Sequence, residues 1–260
     1  MLSRIRHWQR RRLAQSFEVD AATWQAVESR LPFLEYLPPT ERQRLRQLTL
    51  ELLAEKEFAG AHGLTVTTAM RLGIGLQAAL LVLHLGLEAY RGWVGIVVYP
   101  GDFVIPRTLV DEDGVTHEFD DAVLGEAWDG GPVLVSWPDD PEELDGINVV
   151  IHEFAHKLDM GNGAVDGVPA LPPHIPGARW SGAFRAAYED FCQRVDADEE
   201  TALDPYGAEH PSEFFAVMSE AFFETPLLLQ AEYPEVYACL RDYYQQDPAL
   251  RAGEIQSAPT

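Results

Sequence analysis

The tightest constraint on this chain is the stretch Val149-Val-Ile-His-Glu-Phe-Ala-His-Lys-Leu-Asp-Met160. As a helix it sets His152 and His156 four residues apart, one turn above the other on one face. That face can grip a metal ion. Glu153, rotated by about 100° from His152, cannot easily join the grip but can reach water at the metal. The pattern is H-E-x-x-H, and its residue types have chemical reasons. Neutral imidazole suits zinc, and a carboxylate beside it can take a proton from water and later deliver it to a leaving amine. The flanking Ile147, Val149, Val150, Ile151, Phe154, Ala155 and Leu158 leave almost no other polar face. Ionisable groups on so buried a helix are costly unless they have partners, and a metal supplies one. Two core histidines bonded to backbone are the competing arrangement.

Composition narrows the partners. With 42 acidic against 19 basic residues the net charge is −23, which argues against nucleic acid, whose phosphates need clustered Lys and Arg. Cys192 and Cys239 lie far apart and form no C-x-x-C, so neither a disulfide framework nor a cysteine zinc site is expected. Buried thiols in a reducing, cytoplasmic setting fit instead. The start, Met1 to Arg12, is basic but leads into no apolar run of signal-peptide length. No G-x-S-x-G or paired Cys/His context points to a serine or cysteine nucleophile.

Along the chain, Ala22–Leu31 and Pro39–Leu53 read as packing helices, and Phe58–Thr65 as a connection. Arg71–Glu88 is the most apolar helix candidate, yet Gln77 and His84 interrupt it and its apolar length is short for a bilayer; it reads as a buried central helix, with His84 a satisfied core histidine and no membrane span. Strand-type runs follow at Trp93–Tyr99, at Pro100–Pro106 and at Gly131–Trp137, with the acidic Asp111–Asp121 as a solvated hairpin. The strand at 132–137 is expected to offer an exposed edge to an extended peptide. The Gly- and Pro-rich Gly167–Gly177 reads as a loop rimming the site, Trp180–Val195 as helix, Pro211–Glu224 as a strong helix with Pro226 closing it, Pro234 to about Gln246 as a shorter one, and the chain past Pro248 as a disordered tail.

A hydrolytic zinc site takes three protein ligands and keeps a position open. A third histidine in the H-E-x-x-H-x-x-G-x-x-H pattern is missing, since Asp159 and Asn162 hold those places. A glutamate from another helix is the alternative. Glu213, Glu220 and Glu224 share one face of Pro211–Glu224, and Glu213 and Glu220 lie about 10 Å apart along its axis, so only one can coordinate. The other is left for an outer shell or for solvent. Asp159, one turn below His156, is placed to orient a histidine through its free ring nitrogen, or simply ends the helix.

Taken together, His152-Glu-Phe-Ala-His-Lys-Leu-Asp-Met-Gly-Asn-Gly163, Gly167-Val-Pro169, Asp204-Pro-Tyr206, Pro211-Ser-Glu-Phe-Phe-Ala-Val-Met-Ser-Glu-Ala-Phe-Phe223 and Tyr243-Tyr-Gln-Gln-Asp-Pro248, with Val97-Val-Tyr-Pro100 and Gly131–Trp137 upstream, resemble the zinc peptidases of the Mlc titration factor A family. The resemblance spans roughly Leu72 to Pro248, and residues 1–70 match it in helical character more than in motif. It implies Glu213 as the third Zn2+ ligand, Glu153 as the catalytic base and Tyr206 as an oxyanion-stabilising phenol, which leaves Glu220 as the carboxylate for the outer shell or for solvent. The fold it implies is α+β, a zincin-like metallopeptidase domain, mostly helical with a small mixed sheet beside the H-E-x-x-H helix. A basic segment at 1–17, a helical region at 18–92, a catalytic region at 93–247 and a tail at 248–260 would form one compact domain. The activity it implies is that of a gluzincin-like zinc peptidase acting on peptides or proteins, with aminopeptidase action one form of it. The same resemblance offers another class of function, a regulator that sequesters a transcriptional repressor around a vestigial or structural zinc site.

Overall fold

A computed structural model describes residues 18–110, 116–138 and 147–250. The Arg-rich start, part of the acidic 111–121 stretch and the last ten residues of the expected tail lie outside the described residues. Its axis is the H-E-x-x-H helix. That helix, Val149–Asp159, is buried along its whole length, which an apolar surround at nearly every position requires.

Before it come helices α1 (Ala21–Glu28), α2 (Pro39–Leu53) and α3 (Thr68–Leu81), strands β1 (Glu57–Gly60), β2 (Gly95–Tyr99), β3 (Phe103–Val110), β4 (Thr116–Val123), β5 (Gly125–Ala127) and β6 (Val133–Ser136), so the motif helix is α4. After it come α5 (Gly177–Asp196), α6 (Pro211–Glu224), α7 (Pro226–Glu232) and α8 (Pro234–Tyr244). The protein is α+β, mostly helical, with a mixed four-stranded sheet ordered β1-β2-β6-β5. The first three strands are parallel and β5 runs antiparallel to β6. β3 and β4 form a separate antiparallel hairpin. The sheet, α3 and α6 all pack on α4, and one continuous apolar cluster runs from Trp24 to Ala249.

The structure departs from several sequence expectations. β6 offers no exposed edge, because β2 flanks it on one side and β5 on the other; the edge beside α4 is β5, whose three residues are too few to show an alternating pattern. Phe58–Thr65 is not a plain connection, since Glu57–Gly60 pairs with Gly95–Val98. A Cβ at Gly60 would meet the Leu64 carbonyl at 1.8 Å, so the chain can fold back there only on glycine. The central helix stops at Leu81, and Gly86, at φ 84°, lets the chain turn into a 3-10 segment at Leu87–Tyr90; His84 therefore sits half-buried beside Glu41 and not in the core. Pro226 closes α6 but opens α7 as its first residue. The chain also stays packed past Pro248, where Ala249 is buried and its N–H donates to Tyr237 Oη at 2.9 Å.

Aromatic side chains lock α4 from behind. Phe154 is fully buried and meets Tyr90 and Trp93 edge-on, with ring centroids 5.3 and 5.7 Å away. Phe154→Ala should therefore cost about 3–5 kcal/mol of stability, read from urea unfolding midpoints; a loss under about 1 kcal/mol would mean that this packing does not hold the helix.

Candidate metal centre

Local chemistry places each donor. Asn148 caps α4, its Oδ1 accepting from Ile151 N at 3.0 Å, so the helix begins where the histidines come to face α6. His152 Nε2 and His156 Nε2 then lie 3.1 Å apart. Glu213, in the first turn of α6, brings Oε2 to 3.0 Å from the first and 3.1 Å from the second. His210 caps that helix, Nδ1 accepting from Ser212 N at 3.2 Å, and Pro211 fills its first position.

The three ligand atoms make a nearly equilateral triangle. Donors on a tetrahedral zinc with bonds of about 2.0–2.1 Å stand about 3.3 Å apart, so the triangle fits such an ion closely. Two imidazole nitrogens facing each other at 3.1 Å also need a cation or a proton between their lone pairs. Burial disfavours a charged His152, yet hydrogen bonds to Glu213 and Glu220 outweigh it and hold the ring well above the usual histidine range. Glu213 is displaced the other way: burial opposes its charge, but His152 and His156 keep it well below the usual carboxylate range. Both displacements express one interaction, the pairing of a carboxylate with two imidazoles in a buried place.

The remaining carboxylates of α6 hold α4 in register. Glu220 Oε1 sits 2.6 Å from His152 Nδ1, and its Oε2 accepts from Asn148 N at 2.8 Å. That bond fixes the His152 proton on Nδ1 and leaves Nε2 as a donor to a metal. Glu224 Oε1 accepts from Asn148 Nδ2 at 2.7 Å. Asp159 serves a loop: Oδ2 accepts from Gly167 N at 2.9 Å, Oδ1 has no partner, and burial pushes its carboxyl up to about 6. Gly167, at φ 78°, lies against the start of α6, where a Cβ would meet the Pro211 carbonyl at 2.4 Å. Asp159 thus ties the end of α4 to the turn that seats Glu213.

Beside the triangle lies a cleft of about 560 Å³, walled by β5, Glu153, Tyr206 and Glu209. Glu153 is buried, with Oε2 unpartnered. Burial pushes its carboxyl up to about 8, against the pull of His152. Its side chain lies on the β5 backbone, where a Cβ on Gly125 would come within 2.5 Å of Glu153 Oε1. Tyr206 stands in a 3-10 turn, Pro205–Ala208, that Asp204 caps by accepting from Tyr206 N at 2.9 Å. Its ring, 45% exposed, is centred 6.0 Å from that of His152. Opposite, Lys157 is buried and donates to the carbonyls of Trp128 and of Gly131, clamping the β5–β6 turn to α4.

The structure brings His152, His156, Glu213, Glu220, Glu153 and Tyr206 to one place and sets Asp159 behind it. Sequence reasoning missed Asn148, Gly125 and Lys157, and placed Gly167 in a rimming loop without its contact to Pro211. Asn148 was findable, as an Asn directly before an apolar helical run. The glycines carry no local signal, because their neighbours are distant in sequence.

The mostly helical α+β fold thus gathers two histidines and a glutamate into a candidate metal centre, and the family match gives its class, a metallopeptidase. The chain belongs to the family described as glucose-regulated metallo-peptidase M90, whose profile matches residues 5–245. It is 36% identical over 239 residues to Mlc titration factor A of Pectobacterium atrosepticum, covering 90% of this chain and 89% of that protein. The same protein of Serratia proteamaculans is 36% identical over 241 residues, 91% of each chain. An uncharacterized protein of Synechocystis is 38% identical over 252 residues, 94% of this chain and 91% of its own. No helix among the described residues is long and apolar enough to cross a membrane.

His156→Ala and Glu213→Ala should each weaken metal binding by at least about 100-fold, by analogy with outer-shell losses of 10–100-fold, in competition with a fluorescent chelator. Unchanged affinity in either variant would place the metal elsewhere.

Proposed function

We propose that this chain is a zinc-dependent peptidase of the gluzincin kind, with His152, His156 and Glu213 as metal ligands and Glu153 as general base. The observation that carries the reading is the donor triangle, with edges of 3.0 and 3.1 Å, beside a buried carboxylate whose Oε2 has no partner. Zinc, when bound, supplies a Lewis acid that polarises the scissile carbonyl and makes water acidic enough to act near neutral pH.

The chain's own groups supply the rest. Glu153 takes the proton of the attacking water and passes it to the leaving nitrogen. A base held in an apolar wall binds that proton more tightly than one in water, which suits the second transfer as well as the first. Tyr206 donates its phenol hydrogen to the carbonyl oxygen as charge builds there, an effect worth a few kcal/mol. Glu220 orients His152. Substrate backbone has the β5 edge to lie on, the strand that closes the sheet on the cleft side. Glu126, Asp204 and Glu209 also line the cleft, which favours a substrate with a free terminal ammonium and supports aminopeptidase action. In this reading the chemistry lies within 93–247 and the helical 18–92 region buttresses it, in a zincin-like arrangement. Cys192 and Cys239 are both free thiols, in keeping with a cytoplasmic setting.

Glu153→Gln should keep the metal and lower kcat by at least about 1,000-fold, and Tyr206→Phe should lower it by about 100- to 1,000-fold with little change in KM, by the scale of single oxyanion donors. Peptide p-nitroanilides with free and acetylated termini, assayed with and without chelator, measure both; an acetylated peptide cut as fast as the free one would exclude the aminopeptidase form. A second reading rests on the relatives named for titrating Mlc: this chain sequesters a transcriptional repressor. Capture of a repressor that survives Glu153→Gln, by a protein inert on peptides when zinc-loaded, would favour it over catalysis.

A further inference from the structure

A second cavity, of about 460 Å³, lies on the other side of the segment that caps α4, a size in the range of small-molecule sites. Its walls are mainly apolar, with Val27, Leu31, Phe33, Trp137 and Val150 among the residues that line it. Gly73 on α3 makes room for Trp137, since a Cβ there would come within 2.8 Å of the indole rim.

Polar groups interrupt this wall. Ser136, on β6, is 2% exposed and its Oγ has no hydrogen-bond partner. Elsewhere in the core the hydroxyls of Thr49, Ser219, Tyr36 and Tyr244 are all bonded. An unpaired hydroxyl in such a place costs about 1–3 kcal/mol unless something meets it. Glu224 lines the same cavity. Asn148 takes its Oε1, and burial pushes its carboxyl up to about 7. An apolar wall with a carboxylate and a hydroxyl set into it recognises a cation-bearing apolar molecule. Among the described residues of the lining the basic one, Arg30, is exposed, where solvent screens it.

We propose that this cavity is a second ligand site, for a small primary amine on an aromatic or branched aliphatic body, its head met by Ser136 and Glu224 and its body by Leu31 and Trp137. Occupancy reaches the metal centre through Asn148, which holds Glu224 by its side chain and Glu220 by its backbone N–H, while Glu220 holds His152. An amine that engages Glu224 competes with Asn148 for it, and linkage makes the effect reciprocal, so metal and amine alter each other's affinity by the same factor. The ligand site stands without the peptidase reading; only this coupling rests on the metal-binding part of it.

The test uses the full chain, zinc-loaded and chelator-stripped, with benzylamine, benzyl alcohol and toluene as matched probes in calorimetric titrations, and a benzylamine soak of its crystals. Benzylamine should bind at one site at least about ten-fold more tightly than toluene, a difference of about 1.4 kcal/mol. Ser136→Ala and Glu224→Gln should each weaken it by about five-fold or more, the scale of one hydrogen bond. Ala69→Trp, at an exposed position on the lining, should abolish it while leaving the melting temperature unchanged. Stripping zinc should shift the benzylamine affinity by about five-fold or more, the lower end of typical couplings; a smaller shift overturns the coupling alone. Equal affinity for all three probes, binding undiminished in Ala69→Trp, ordered water alone beside Ser136, or benzylamine only in the metal cleft overturns the site.

Discussion

Charge buried between two helices governs this molecule. α4 is enclosed by the sheet, α3 and α6, yet it carries His152, Glu153 and His156 into that enclosure. Such groups persist in an apolar interior only when partnered, and the partners of the two imidazoles come from one face of α6. Asn148, His152 and His156 meet Glu224, Glu220 and Glu213 in ladder fashion. Hydrophobic residues of equal volume would pack there at least as favourably. What the ladder adds is register: it fixes how far α6 slides along α4 and how each is rotated, and so sets the donor triangle to within the tolerance a tetrahedral ion allows.

The rest of the scaffold serves that register from outside. Asp159 reaches from the end of α4 to Gly167, and Gly167 lies against Pro211, where Glu213's helix begins. Lys157, on the following turn from Glu153, clamps the β5–β6 turn, so the strand under Glu153 cannot drift. Gly125 lets that strand come close enough for the carboxylate to lie on its backbone. One helix thus has its two histidines aimed by α6, its glutamate, the proposed base, seated by β5 and its end tied to a loop. Buried polar networks of this kind are stable only when nearly complete, and the unpartnered oxygens at Glu153 and Asp159 are the exceptions that stand closest to the chemistry.

Much of this was legible in the sequence where periodicity and punctuation are strong. The H-E-x-x-H helix announces itself because four residues make about one turn, and α6 was readable to both bounds because Pro211 and Pro226 bracket an apolar run. The common face of Glu213, Glu220 and Glu224 followed from the same arithmetic, including the inference that two of them could not share one role. Two of the short strands were not legible. β1 and β5 have four and three residues, and their pairing depends on segments far along the chain, so β6 was mistaken for an edge. Tertiary glycines were likewise invisible: nothing local to Gly125 reveals a carboxylate about thirty residues on. The role proposed for Tyr206 rests on the resemblance to relatives, since the turn chemistry of Asp204-Pro-Tyr206 alone reads as a packing residue.

The central claim is that one zinc ion is held by two imidazoles from α4 and one carboxylate from α6. X-ray absorption at the zinc K-edge of the loaded protein tests it most directly. The account expects a shell of nitrogen and oxygen at about 2.0–2.1 Å with the outer scattering of two imidazole rings. A sulfur shell at about 2.3 Å, or a shell with no imidazole scattering, would contradict it.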